Sequence, residues 1–265
     1  MMDDYGGKCH QVSALAGLYY FSCRPYYRKH VSLFSPPSGN YYFIDKILKT
    51  LKAESIHTSR LVSKITEDGA GFNIEVINPI EKSVESWSAD RVIYAGQKHA
   101  LKYVFPEEAP LFDKNEYAPW MVINYVGEQK QGKYGFWQNE YLGEEPSFLG
   151  FIDSSVQDQG TLKGNRVYTA YHCLKPSDRE YLKTIPDYHT EIVQSTQSKI
   201  EAVLGKSVDV REAHIHVMGH AMAIPAPGFL FPSLSATKLK YAGVDAGRLP
   251  LLFEALDSGL QAAEV

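Results

Sequence analysis

The stretch from Lys238 to Val265, KLKYAGVDAGRLPLLFEALDSGLQAAEV, constrains the fold of this chain most. Leu239, Tyr241 and Ala242 read as a short apolar strand running into Gly243, then Asp245 and Gly247, and Pro250 opens a helix. Glycine permits sharp turns and close approaches that a Cβ forbids. Proline at a first helical position gives up an N–H that would have had no partner there. Leu252, Ala255, Leu256 and Gly259 then share one helical face. A strand, a glycine turn with one acid and an open helix N-terminus form a site for an anionic or electron-rich ligand. An ordinary β-turn-α connection has the same outline.

The 265 residues, 44% hydrophobic and 22% charged, suit a globular chain of one or two domains. A net charge of -4 gives no reason to expect nucleic acid or a membrane surface as partner. Cys9, Cys23 and Cys173 are odd in number and lack C-x-x-C spacing, which argues against structural zinc and a disulfide framework. No stretch is apolar for long enough to span a bilayer, and the start lacks a signal peptide's basic and apolar regions, so a cytoplasmic location is expected.

In chain order, Val12, Leu15, Ala16 and Tyr19 have helical spacing, and His30 to Asn40 is a Pro/Gly loop. Tyr42, Phe43, Ile44, Ile47, Leu48 and Leu51 mark a second helix that Ser38 or Asn40 could cap. SIHTSRLVSKITEDGAGFNIEVINP predicts two strands joined by a hairpin at Asp68-Gly69. A short strand follows over Val84 to Trp87, and ADRVIYAGQ predicts a buried one ending in small residues. YAPWMVINYVG, FWQNEYL, SFLGFID and NRVYTAYHCL predict an antiparallel sheet, and Pro186 to Gly205 an amphipathic helix with Ile192, Thr196, Ile200, Val203 and Leu204 facing in. A strand bearing His214 and His216 leads into GHAMAIPAPGF, read as a proline-bracketed loop. The expected fold class is α/β with an α+β insertion, in two interleaved domains.

Eight segments, taken in order, carry a resemblance: ALAGLYYFSCR, LFSPPSGNYYFIDKIL, SRLVSKI, ADRVIYAGQ, YAPWMVINYV, EPSFLGFIDSSVQD, GHAMAIPAPGF and KLKYAGVDAGRLPLLFEALDSGLQAAE. The pattern resembles the flavin-containing amine oxidase superfamily, the amine oxidase, protoporphyrinogen oxidase and phytoene desaturase group. It is most similar to bacterial FAD-dependent or NAD(P)-binding Rossmann-like oxidoreductases. The resemblance implies a partial FAD-binding Rossmann-like domain (residues 38–104 and 237–265) interleaved with a mixed or antiparallel-sheet substrate domain (1–37 and 105–236). It implies FAD as cofactor, with Val62 beside the adenine and Ala95 and Gly96 ending the strand that passes the dinucleotide. Gly243, Val244 and Asp245 match the C-terminal flavin motif, and Leu251 would place a helix N-terminus near the flavin pyrimidine edge, where reduced flavin gathers negative charge.

The family's glycine-rich G-x-G-x-x-G unit is absent from this sequence; Gly69-Ala70-Gly71 is a fragment in hairpin context. The chain is therefore expected to be a C-terminal portion or a separate chain that binds FAD weakly alone. A partner carrying the glycine-rich unit, or self-association through the face that unit would cover, is expected with it.

By the same resemblance His220, in the GHAM segment with Met222, lies on the substrate side, where imidazole could orient substrate or move a proton. A structural histidine bonded to a carbonyl is the alternative. Trp120 and Asn124, four apart on a strand, share a face and could line a pocket, and the aromatic content hints at a small hydrophobic or aromatic substrate. His214, His216 and His220 lack a zinc signature, and no metal is expected. Beside an FAD-dependent oxidoreductase stands a second reading, a non-catalytic subunit or small-molecule binding module on the same fold.

Overall fold

A computed structural model describes residues 2–22, 36, 38–52, 56–128, 136–144, 147–156, 164–234 and 237–264. In chain order the elements are α1 (Met2–Tyr5), α2 (Ala14–Ser22), α3 (Tyr41–Leu48), β1 (Leu61–Asp68), β2 (Gly71–Asn78), β3 (Ser83–Ala89) and β4 (Ile93–Tyr94). Then follow α4 (Leu101–Val104), β5 (Glu116–Glu128), β6 (Gln138–Glu140), β7 (Phe148–Asp153), β8 (Asn165–Cys173), α5 (His189–Leu204), β9 (Glu212–Ile224), β10 (Lys240–Tyr241) and α6 (Leu252–Ala263). The mixture of helices and sheets is an α/β fold. The chain divides into two compact units, each assembled from three stretches. The first is Met1–His10, Pro25–Tyr42 and Tyr117–Ile224, and the second Gln11–Arg24, Phe43–Glu116 and Pro225–Val265.

The first unit is built on a five-stranded sheet of order β6-β7-β8-β5-β9, in which β6/β7, β7/β8 and β8/β5 are antiparallel. Strand side chains alternate between faces, and the register sets Met121 opposite His172, Ile123 opposite Ala170 and Tyr125 opposite Tyr168. Met121, Ile123, Tyr125, Tyr168 and Ala170 join Phe148, Phe151, Leu174, Leu182, Ile185 and Ile200 in one buried cluster on the back of the sheet. Each fully buried apolar side chain of this kind contributes about 1.5–3 kcal/mol.

The expected helix from Pro186 is displaced. Pro176–Tyr188 is a 3-10 segment with Pro186 inside it, and α5 begins at His189. Proline disfavours α geometry in the residue before it and lacks the N–H an α-turn uses. The helix ends where expected, at Gly205 with φ 65° and its N–H on the Glu201 carbonyl. Thr196 and Ile200 are buried, whereas Val203 is 39% exposed. Residues 219–224, expected in a loop, complete β9, half-buried through Met222 and buried at Ala223 and Ile224, and Pro225 ends the strand. A buried ion pair, Arg166 with Asp153, ties β8 to β7, and the Asp153 carboxylate also accepts from the Ser155 N–H and hydroxyl.

In the second unit β1, β2 and β3 form an antiparallel sheet in that order. The hairpin turn is Gly69-Ala70, with Asp68 paired to Gly71 and Gly69 at φ 60°. The strand expected across ADRVIYAGQ narrows to Ile93–Tyr94, which pairs in parallel with β10, Ile93 opposite Lys240 and Tyr94 opposite Tyr241. Leu101, Phe105, Phe112, Leu239, Tyr241, Ala246 and Ile65 form its core. α2 buries Ala16, while Leu15 is 52% exposed; α3 buries none of its residues. No helix among the described residues is long and apolar enough to cross a membrane.

Candidate functional site

One constellation lies in the second unit, where the parallel strands β4 and β10 end side by side. Beyond β4 come Ala95 and Gly96, and beyond β10 comes Gly243. In open α/β sheets ligands gather at the carboxyl ends of parallel strands. Gly243 has φ 108°, a conformation glycine adopts freely, and its N–H bonds Ser258 Oγ of α6 at 2.8 Å. Gly247 has φ 88°, and a Cβ there would collide with the Pro232 ring and crowd the Phe229 carbonyl, so its close approach is to the chain itself. Leu251 is the N-cap of α6 in an extended conformation, without a side-chain cap bond, and is 37% exposed. The first N–H groups of a 12-residue helix are therefore left without a capping side chain.

Asp245 is 7% exposed and turned inward. Its Oδ2 accepts the Lys98 backbone N–H at 2.7 Å and its Oδ1 the Lys98 ammonium at 3.1 Å. The same ammonium donates to Gly96 O at 3.0 Å and Ala242 O at 2.7 Å, so it joins the ends of both parallel strands. The Lys98 side chain is fully buried, and burial lowers its pKa, an effect Asp245 partly offsets. Asn115 completes the clasp, its Nδ2 donating to Asp245 O at 2.7 Å. Gly96 and Gly243 thus place no side chain at the two strand ends, and the Gly243 N–H is already taken by Ser258 Oγ. The Asp245 carboxylate is already spoken for by Lys98. Val62 stands on β1 in the antiparallel sheet, 36% exposed and beside a register irregularity between Val62 and Lys64.

A second constellation belongs to the first unit. On β5, Trp120 and Asn124 face away from the core that Met121, Ile123 and Tyr125 enter. Trp120 meets Tyr171 edge-on at 5.8 Å, and Asn124 Oδ1 accepts the Thr169 hydroxyl at 2.8 Å. The indole N–H of Trp120 is buried without a partner of hydrogen-bond geometry. Opposite it in the ladder, burial pushes the Cys173 thiol up to about 12, against a smaller pull from the Trp120 indole. On β9, Ala213 and Ile215 join the back cluster, while Met222 lies beside Ala118 of β5 and so shares the front face with Trp120 and Asn124. His220 packs edge-on against Tyr117 at 5.5 Å. A Cβ on Gly6 would lie 2.8 Å from Ala118 Cβ and 3.5 Å from Met222, so residues after α1 overlie this face. His214 and His216 are exposed, and among the described residues no group of three metal-ligating side chains occurs.

Lys98, Asn115 and Ser258 escaped sequence reasoning. Lys98 lies 147 residues from the carboxylate it holds, and a lysine after a short strand reads as a solvated end. The only hint was its place just past the small residues that close β4.

No family model matches the chain, and no curated protein matches it. Solved structures share its fold. One, from Exiguobacterium sp. 255-15 and described as a "putative protoporphyrinogen oxidase", has a TM-score of 0.67 at 11% identity, over 94% of this chain and 54% of that one. Another, described as an oxidoreductase from Methanosarcina mazei, has a TM-score of 0.56 at 15% identity, over 86% of this chain and 54% of that one. The chain thus spans about half the length of these structures, and what it shares with them is the fold.

Proposed function

We propose that the chain supplies the substrate-side sheet and the C-terminal strand-turn-helix of an FAD-dependent oxidoreductase of the amine oxidase and desaturase type. The pyrophosphate would be held by a glycine-rich unit outside these 265 residues. The observation that carries the reading is the meeting, at the carboxyl ends of β4 and β10, of Gly96 and Gly243, with Ser258 of α6 on the Gly243 N–H. The fold shared with the oxidoreductase structures over most of the chain supports it. When bound, the flavin would supply hydride acceptance from a C–N or C–C bond.

In this reading backbone N–H groups at Val244 and the first turn of α6 meet the flavin's electron-rich edge, which a helix N-terminus favours. Lys98 holds Asp245 and so shapes the turn from behind. On the front of the five-stranded sheet, Trp120 offers its unpartnered indole N–H to a substrate acceptor, with Asn124 and Met222 as walls. His220 orients substrate or moves a proton there. The substrate expected is small and hydrophobic or aromatic. Ile44, Ile47 and Leu48 of α3 stay exposed, which supports a partner chain, or a second copy, covering that helix. A non-catalytic binding module on the same fold is the second reading. The commitment of Asp245 to Lys98 favours it, since that acid then contributes nothing to a ligand.

Titration of the isotope-labelled chain with FAD, followed by amide NMR and the visible spectrum, tests the proposal. Weak binding with shifts at Gly96, Gly243, Val244 and Leu251 is expected. Tight stoichiometric binding would remove the need for an external pyrophosphate unit. Silence at those four amides under millimolar FAD would remove the flavin site.

A further inference from the structure

We propose that the open edge of β10 docks an extended, apolar peptide segment from outside these 265 residues, which adds to the β4–β10 ladder as a third strand. Docking there requires neither flavin nor any residue of the five-stranded sheet. Along a strand, the backbone groups of successive residues point to alternate edges. The Lys240 N–H bonds Val92 O at 3.0 Å and the Ala242 N–H bonds Tyr94 O at 3.2 Å, so residues 240 and 242 face β4. Leu239, Tyr241 and Gly243 therefore turn their N–H and C=O groups to the other edge.

Two of these three are satisfied by the chain itself. Leu239 donates to Glu108 Oε2 at 3.3 Å and accepts the Thr237 hydroxyl at 2.7 Å. Gly243 donates to Ser258 Oγ at 2.8 Å and accepts the Ala246 N–H at 3.2 Å. Tyr241 differs. Its backbone N–H and C=O have no partner among the described residues, although the residue is only 7% exposed. Orphaned backbone pairs in buried residues are rare, because each costs about as much as a lost hydrogen bond. The pair is also preset, since the Tyr241 hydroxyl donates to Glu108 at 2.7 Å and its ring meets Phe112 edge-on at 4.9 Å.

Beside Tyr241 lies a cavity of about 430 Å3, lined by Pro232, Leu234 and, from α6, Ser258 and Ala262. A peptide strand presents a carbonyl and an N–H at the spacing Tyr241 requires, and main-chain pairing on an open edge is a general mode of peptide capture. Pro232, Leu234 and Ala262 select apolar side chains, the kind that strands within parallel sheets carry on both faces. A second copy does not fit as well: its own β10 is recessed in the same cavity and cannot reach this one. The present ladder, two residues long, is shorter than sheet strands usually are, which suits one completed by a further strand.

Amide hydrogen exchange and NMR titration of the full chain test this. In the free chain the Tyr241 amide should exchange at least tenfold faster than those of Lys240 and Ala242. The probe is an acetylated, amidated hexapeptide of four valines between two lysines, at millimolar concentration. It should shift the Tyr241 amide and slow its exchange at least tenfold. The same peptide with all four valines N-methylated keeps the side chains and loses the donors, and it should bind at least tenfold more weakly. Equal binding of the two peptides would mean apolar contact without strand addition and would overturn the proposal. So would a Tyr241 amide already as protected as its neighbours in the free chain, shifts confined to other surfaces, or no shifts. Protection of Tyr241 that rises with protein concentration alone would assign the edge to a second copy and overturn it too.

Discussion

Lys98 grips the two oxygens of Asp245 separately, one with its backbone N–H at 2.7 Å and the other with its ammonium at 3.1 Å. A carboxylate held this way has a fixed rotamer and few lone pairs left to offer. The turn between Gly243 and Gly247 is therefore set by the protein itself, before any ligand arrives. Buried pairs gain little over a well-packed apolar pair, yet breaking one strands a charge.

Lys98→Met should accordingly destabilise the chain by about 3 kcal/mol, and Asp245→Asn by a similar amount. The double variant should cost less than the sum, since no charge is then stranded. Urea unfolding measures all three. If Lys98→Met left the midpoint where the wild type has it, the clasp would have no structural weight.

The same lysine gives a pH signature. Its folded pKa lies below its ordinary value, chiefly through burial. Between the folded value and about 10.4 the unfolded chain holds the extra proton, so this group's contribution to stability rises with pH. Subtracting the pH profile of Lys98→Met from that of the wild type should expose this upward slope below pH 10. A difference profile that falls with pH there contradicts the buried, depressed lysine.

Much of the fold was legible because its signals are local. The hairpin of β1 and β2 follows from Asp68-Gly69, with the turn itself one residue later at Gly69-Ala70. The end of α5 follows from Gly205, and the alternation in YAPWMVINYV gives the two faces of β5. Three things were not legible. Pro186 looks like a helix start, but a 3-10 segment can carry it, and only packing of Leu182 and Ile185 decides between them. GHAMAI looks like a loop beside two prolines, yet pairing with a neighbouring strand carries it to Ile224. The Lys98 clasp joins residues 147 apart, and no periodicity reports a contact of that kind. Among the candidate site residues, the common face of Trp120 and Asn124 follows from period two alone, whereas the strand that carries Met222 beside Ala118 reads as a loop in the sequence.

Arg166 and Asp153 form a second buried pair, with side chains 6% and 2% exposed. Asp153→Asn keeps the shape and removes the charge. It should cost about 3–5 kcal/mol, seen as a lower melting temperature, and Arg166→Met in the same background should restore part of the loss. A neutral effect of Asp153→Asn would mean that water reaches the guanidinium.

Cys173 should be chemically silent in the folded chain. Burial holds its thiol up near 12, so thiolate is scarce at neutral pH. With Cys9 and Cys23 changed to serine, a maleimide should label Cys173 only as denaturant unfolds the chain. Because the folded pKa is raised, this group's stabilisation is full below the usual thiol range and is lost as pH climbs from about 8.5 toward 12. Rapid labelling of the native protein would contradict its burial.

The two-residue parallel ladder of β4 with β10 also sets an order of assembly. Residues 116–224, which carry the whole five-stranded sheet and α5, leave the ribosome as one continuous run. The core of the second unit instead waits for Leu239, Tyr241 and Ala246 to return to Leu101 and Phe105. Closing so long a loop costs entropy before the contacts repay it. During synthesis the sheet-bearing unit can mature while its companion still lacks the strand that seals it, and nascent Leu101 and Phe105 are what chaperones would find in the meantime.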